Sequence, residues 1–381
     1  MAKLRNFGKL ILLTLLWLNS APAAENKDRK NMEHILKHSV PGNPRNSEGS
    51  FIKLADGTIY FAYSRYNGES GHDHASADIA AVISKDNGKT WSEPFTVLEN
   101  QKMNLMSVSL LRLQNGRIAM VYLEKSAIPG WKDFVDCRPK IIFSDDETAS
   151  WSAPVEIANV PPAYFVVNND RLIQLKNGRL IIPAAHHQYN DKSLGDGIIR
   201  FFISDDNGVT WRIAKEYIYP PYRLAVRGLM EPGVIELADG RIMCFIRTGA
   251  GSQYKSFSYD NGETWSVPQV ANEFLSPESP MSMKRNPANG KLYAIWNDCN
   301  PLRRVQITNP RWTRTPLVMA ESSDEGATWE NHRILEDSPV HGYCYIAMFF
   351  DQNKLYLGYC CGGEPDCTGT LQETKLRVID L

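Results

Sequence analysis

Five copies of one short pattern, Ser-x-Asp-x-Gly-x-x-Trp, constrain the fold of this 381-residue chain more than any other feature. They are Ser84–Trp91 (SKDNGKTW), Ser144–Trp151 (SDDETASW), Ser204–Trp211 (SDDNGVTW), Ser258–Trp265 (SYDNGETW) and Ser322–Trp329 (SSDEGATW). Each reads as a tight turn in which the Asp side chain accepts from turn amides and the Gly supplies a positive φ. The Trp then fills an apolar slot beneath the turn. The second copy carries Thr148 in place of Gly, so its turn is expected to differ slightly. Five copies in register define a repeat protein.

A second repeat interleaves with the first. Apolar runs flank an Asp/Asn-Gly turn in FIKLADGTIYFAY (Gly57), LLRLQNGRIAMVY (Gly116), LIQLKNGRLIIPA (Gly178) and VIELADGRIMCFI (Gly240). Weaker copies surround Gly290 and Asn353, and the six centres lie about 50 to 63 residues apart. Each unit holds a hairpin, a variable stretch and a strand entering the Ser/Asp/Trp turn, except the sixth, which lacks that turn. About four strands per unit and six units predict an all-β fold, a six-bladed β-propeller. No helical periodicity competes with it. The terminal segment LRVIDL is expected to pair near His34–Val40 and close the ring, because closure removes exposed edges.

Abundant aromatics (16 Tyr, 14 Phe, 9 Trp) suit one large β domain over residues 39–381. A formal net charge of −1, without a basic run, argues against nucleic acid or anionic membranes as partners. Residues 1–23 read as a signal peptide: Lys3, Arg5 and Lys9 precede the apolar Leu10–Leu18, and Ala21-Pro22-Ala23 offers a cleavage site. That core is short for a membrane span, so a secreted or periplasmic product is expected, with residues 24–38 as a linker leading into ring closure. The seven Cys have no metal-like spacing, and their odd number argues against a dense disulfide framework. No metal or cofactor is expected.

From about Pro41 onward the chain resembles the sialidase (neuraminidase) superfamily, whose Asp-box turns have this pattern. In that family the boxes are scaffold on the rim away from the site, so function rests on other residues. A sialic acid carries a carboxylate on its anomeric carbon, which planar, permanently charged Arg side chains can clamp. A neutral Tyr activated by Glu is the suitable nucleophile there, because a carboxylate would be repelled by the substrate. A further carboxylic acid must protonate the leaving oxygen.

The resemblance carries these roles onto particular residues. MEPGVIELADGRIMCFIRT, Met230–Thr248, is similar to the segment bearing the Tyr-activating Glu and the second clamp Arg, which implies Glu231 and Arg247. Met230 stands where the family usually has Asn. The third Arg lies ten residues before a late box Asp, which implies Arg314, with Arg303, Arg304 and Arg311 as rivals. HGYCYIAMFF resembles the start of the nucleophile strand, which implies Tyr343; Tyr345 is the alternative by strand alternation.

SRYNGESGHDHASADIAAVIS implies Asp73 as the acid/base, with Asp78 as alternative; His72 and His74 beside Asp73 make only a weak metal cluster. The first Arg falls on Arg45, but the family's Ile-Pro is missing, and the alternative is that Glu48 points at the site instead. Asn169, Asp170, Arg171, His186 and His187 flank the expected pocket, with Arg171 and His186 as candidate sugar contacts. The resemblance implies a retaining exo-glycosidase that hydrolyses terminal α-linked sialic acid or a related 2-keto sugar acid, with sialylated or other acidic glycans as partners. An enzyme of another acidic glycan, hydrolase or lyase, and a non-catalytic carbohydrate-binding propeller are the alternatives.

Overall fold

The computed structural model describes residues 32–38, 41–157, 159–189, 194–221 and 227–381. The expected signal peptide, and all of the linker before residue 32, lie outside the described residues.

Among the described residues every regular element is a strand. After β1 (Met32–Leu36), the strands β2 (Asn46–Lys53), β3 (Ile59–Tyr66), β4 (Ala77–Ser84) and β5 (Phe95–Leu98) form one antiparallel sheet in that order. Nine strands form the next: β6 (Asn104–Arg112), β7 (Ile118–Ile128), β8 (Trp131–Ser144), β9 (Val155–Glu156), β10 (Tyr164–Val166), β11 (Ile173–Gln174), β12 (Leu180–Tyr189), β13 (Leu194–Ser204) and β14 (Arg212–Ile213). Two four-stranded meanders, β6–β9 and β11–β14, are joined there by β10, which pairs parallel with β8 and antiparallel with β12. A four-stranded sheet follows from β15 (Met230–Glu236), β16 (Ile242–Arg247), β17 (Ser252–Ser258) and β18 (Gln269–Leu275). Another holds β19 (Ser282–Arg285), β20 (Leu292–Asn297), β21 (Leu317–Ser322) and β22 (Glu330–Glu336). The last contains β23 (Cys344–Asp351), β24 (Lys354–Cys360) and β25 (Thr374–Asp380), with β1 along its outer edge. His34 faces Leu376 in that β1–β25 pairing, as the sequence suggested.

The hairpin turns explain the second repeat. Leu54, Leu113, Leu175 and Leu237 each donate their amide to the residue four positions on, at 2.8 Å in every case. The Asp or Asn before each Gly accepts from the residue after it, as Asp56 Oδ1 does from the Thr58 amide at 2.9 Å. Gly57, Gly116, Gly178 and Gly240 hold φ between 88° and 93°, a region most L-residues avoid.

The Ser/Asp/Trp turns are one structure repeated five times. In the third, Ser204 Oγ donates to Asp206 Oδ1 (2.8 Å) and accepts from the Gly208 amide (2.8 Å), while Asp206 Oδ1 takes the Thr210 amide (2.9 Å). The second copy departs from expectation. Thr148 adopts φ 74° and donates its amide to Ser144 Oγ at 2.8 Å, so the turn keeps its shape and a β-branched residue bears the strain. The Trp residues pack against neighbouring clusters, Trp265 stacking on Phe201 with centroids 4.0 Å apart. At Gly208 a Cβ would lie 2.6 Å from the Phe143 ring, so the turn glycine also permits close approach of β8.

At the other end of the sheets the entries to β2, β6, β15 and β23 are bulged. Register slips occur at Ser47/Ser50, Met106/Ser109, Met230/Gly233 and Cys344/Ala347. Glu48, Ser107, Glu231 and Tyr345 fall within those slips with positive φ, and Asp170, shortly before β11, shares the positive φ without a slip. Bulges of this kind re-aim side chains, and a repeated bulge aims several at one place. These entries touch in turn: Ser50 Oγ accepts the Leu110 amide, Ser109 Oγ accepts the Leu172 amide, Arg171 donates to Pro232 O, and Ser282 Oγ donates to Ile346 O.

Candidate active site

The bulged entries surround a cavity of about 590 Å³ lined by Glu48, Ser107, Glu231 and Tyr345 together with Asp73, Lys125, Tyr164, His187, Arg247 and Arg314. Its wall mixes four cations (Lys125, Arg227, Arg247, Arg314) with four carboxylates (Glu48, Asp73, Asp196, Glu231), the composition of a site that binds an anion and moves protons.

Glu231 stands at its centre. Its Oε1 accepts the Tyr345 hydroxyl at 2.8 Å and its Oε2 accepts from Arg247 Nη1 at 2.6 Å. The hairpin β15–β16 makes this possible by setting Met230 opposite Arg247 where the bulge turns Glu231 inward. Burial pushes the Glu231 carboxyl up, but Arg247, Arg314 and the Tyr345 hydroxyl outweigh it and hold the group below its ordinary value. The Tyr345 hydroxyl moves the other way: burial and then Glu231 raise it well above the usual phenol range, against the pull of Arg314 and Arg247. At rest, therefore, the carboxylate is ionised and the phenol keeps its proton.

Two arginines flank the pair. Arg247 Nε is buried and, among the described residues, has no hydrogen-bond partner. Arg314 lies 5.6 Å from the Tyr345 ring centroid, steered by Cys344 Sγ (3.0 Å from Nη1) and by Glu278 O (3.4 Å from Nη2). Opposite them Lys125, only 2 % exposed, donates to Asp73 O at 2.6 Å and sits 5.7 Å above the Tyr164 ring.

Several sequence-based assignments change. Tyr343 is buried among Leu317, Ile346 and Tyr359 and stacks on His341, away from the cavity. Strand alternation would have put Tyr343 and Tyr345 on one face; the bulge and the 57° φ of Tyr345 separate them. Arg45 does not line the cavity beside Arg247 and Arg314. Its guanidinium is engaged by Ser47 Oγ (3.0 Å), Gly71 O (3.2 Å), Asp73 (2.5 Å) and Glu48 (3.4 Å), and it rests on the Tyr66 ring. The residue that faces the cavity from this segment is Glu48. Burial first raises the Glu48 carboxyl, Arg45 only partly offsets this, and the group reaches about 7.

Asp73 lines both the cavity and an adjoining groove, with 57 % of its side chain exposed. Burial raises its carboxyl, but Arg45, Lys125 and His72 prevail and hold it below the ordinary Asp value. Arg171 is committed inside the protein to Pro232 O, Ser282 Oγ and Met281 O. His186 stacks on Phe165 and takes the Arg200 Nε donor at 3.0 Å; burial, then Arg200, push it down to about 4. Its neighbour His187 is the histidine on the cavity wall. Lys125, Ser107, Asn168 and Tyr164 escaped sequence reading, although Lys125 gave a signal. In β7 it shares the period-two face of Val121 and Leu123, where a charge needs a reason.

Residues 57–357 match the BNR repeat-like domain family. The chain belongs to that family, within the sialidase/BNR-repeat superfamily. It is 26 % identical over 335 residues to a sialidase of Clostridium perfringens, a match covering 81 % of this chain and 80 % of that one. A sialidase of Paraclostridium sordellii is 29 % identical over 240 residues, and the match spans 57 % of this chain but only 56 % of that relative. Among solved structures, a Dyadobacter fermentans protein of unknown function superposes with a TM-score of 0.71 at 19 % identity, covering 92 % of this chain and all (100 %) of that one.

Proposed function

We propose that this member of the BNR repeat family is a sialidase-like glycoside hydrolase that cleaves a terminal sugar acid by a retaining mechanism, outside the cytoplasm. The observation that carries the reading is the shared carboxylate of Glu231, with Tyr345 on one oxygen and Arg247 on the other. The chain of contacts from β2 through β6, the Asp170 segment, β15, β19 and β23, together with β1 lying on β25, supports a closed ring of six blades around this site.

The substrate carboxylate binds to Arg247 and Arg314 on the cavity wall. The Tyr345 oxygen attacks the anomeric carbon as its proton passes to Glu231, and the bond from that carbon to the aglycone oxygen breaks. A neutral phenol meets no repulsion from the substrate's own charge. Asp73 donates the proton to the departing oxygen. It is an exposed carboxyl on the cavity wall, and an arriving anion raises its proton affinity against the pull of Arg45. Asp73 then activates the water that releases the sugar from Tyr345. One observation favours a second reading of the proton donor: Glu48, buried at the wall, holds a proton near neutral pH without any ligand.

The experiment is release of a fluorophore from an α-linked N-acetylneuraminic acid glycoside by the full chain, by Tyr345→Phe and by Tyr343→Phe. Tyr345→Phe should lose at least about 10³-fold in kcat, as removal of a nucleophile does, with binding of the sugar acid retained. Tyr343→Phe should stay within a few-fold of the parent. Equal activity in parent and Tyr345→Phe would remove the nucleophile from this proposal.

A further inference from the structure

Where β1 ends, a second chemical cluster lies outside the cavity. The β1–β25 ladder runs out at the pair Leu36–Thr374. Just beyond it, His38 from one end of the chain meets Glu373 and Cys367 from the other. His38 Nδ1 is 3.1 Å from Glu373 Oε1 and 3.8 Å from Cys367 Sγ, and all three donor atoms lie within 4.8 Å of one another. Cys367 and Glu373 are buried, and the His38 side chain is 15 % exposed.

A single ring nitrogen carries at most one proton, so hydrogen bonding joins a carboxylate and a sulfur to the same Nδ1 only as a weak three-centre bond. A shared cation holds both with full bonds. With zinc–nitrogen, zinc–oxygen and zinc–sulfur bonds at their usual lengths, tetrahedral angles put nitrogen and oxygen ~3.4 Å apart and nitrogen and sulfur ~3.6 Å apart. The observed spacings fall close to both values.

We infer that His38, Cys367 and Glu373 bind a divalent transition metal, with water completing four-coordination. The thiolate and imidazole donors select zinc over calcium or magnesium. Sequence spacing conceals the set, because 329 residues separate His38 from Cys367.

The loop that supplies two of the ligands is already shaped. Cys361 N donates to Glu373 O (3.0 Å), Gly362 N to Thr370 O (2.9 Å) and Cys367 N to Gly363 O (2.7 Å). The same loop places Leu371 on the active-site cavity, and its Gln372 O accepts the Asn46 amide at 2.9 Å, at the start of the strand carrying Glu48. A metal here staples the N-terminal strand to a wall of the cavity without entering it.

The test uses the full chain with the exposed Cys299 replaced by Ser, stripped of metal and titrated with Co²⁺ and then Zn²⁺. The expected result is about one metal per chain, a thiolate-to-cobalt charge-transfer band, and visible bands of four-coordinate intensity that zinc abolishes. Cys367→Ser should lose the band, and His38→Ala should weaken affinity by at least about tenfold, since even outer-shell partners are worth that much. Zinc should also slow hydrogen exchange across residues 362–372. A folded parent that takes up no cobalt, or that shows the same band in Cys367→Ser, overturns the assignment. The spectrum of the parent decides the matter even if a variant fails to fold.

Discussion

The Ser/Asp/Trp turns, here called the rim, and the strand entries around the cavity, here called the centre, repeat in different ways. At the rim the sequence repeats: five Ser/Asp/Trp turns use the same Ser and Asp side chains in the same hydrogen bonds, even where Thr148 must take a glycine's conformation. At the centre the backbone repeats and the sequence does not. The five left-handed entry residues are Glu48, Ser107, Asp170, Glu231 and Tyr345. Identical side chains at the rim mean that each performs the same packing task. Different side chains on one recurrent bulge mean that a shared geometry delivers different chemistry to one place. Residues at the rim should accordingly govern stability and those at the centre reactivity, and each half of that contrast can be broken.

The largest effect belongs to the centre. Asp73→Asn should lose roughly 10²- to 10⁴-fold in kcat on a sialoside with an alkyl leaving group, the usual worth of general acid catalysis, and far less on an aryl glycoside whose departing oxygen needs no proton. Steady-state kinetics on both substrates reads this directly. If Glu48→Gln shows that leaving-group pattern and Asp73→Asn does not, the proton donor is Glu48.

The next test gives Glu48 an energetic cost that a centre residue can carry. Its carboxyl titrates at 4.5 when free and at about 7 when buried here, so between those values the folded state holds a proton that the unfolded chain has released. Stability from this group is fully present below pH 4.5 and declines as pH rises toward 7. Glu48→Gln should erase that decline, a difference of about 3 kcal/mol at most near neutrality. Urea unfolding of both proteins at pH 5 and pH 7.5 measures it; parallel pH profiles would sink the idea.

At the rim, two copies of one turn should respond with opposite signs. Gly208→Ala places a Cβ 2.6 Å from Phe143 at φ 88°, and should cost about 2–3 kcal/mol through strain and overpacking. Thr148→Gly relieves a φ of 74° and should gain about 0.5–1 kcal/mol. Thermal unfolding reads both changes, and neither should alter kcat. An activity change in either would show that rim and centre are not separable.

That same contrast governs what could be read beforehand. The turns are local: Asp56, Gly57 and Thr58 fix their geometry among themselves, so the sequence announces them. The resemblance to sialidases singled out Glu231, Arg247, Arg314 and Asp73 by their distance from such a turn, and all four line the cavity. Tyr343 and Tyr345 were confused because alternation presumes a regular strand, and the bulge that decides between them depends on the pairing of β23 with β24. Arg45 looked like a clamp residue because nothing in the sequence shows that Asp73 and Glu48 already occupy it. Lys125 was missed because its role arises only when the Asp73 loop reaches across to it from another sheet.

The pairing of β1 with β25 also sets an order in time. During synthesis β1 is the first described strand to emerge and β25 the last, so β1 must wait for every other described strand before its partner exists. Until then the β1 edge is an open template for any passing strand. A nascent chain stalled before Thr374 therefore lacks β25 and also leaves β1 unsheltered, which makes the latest described strand the safeguard of the earliest.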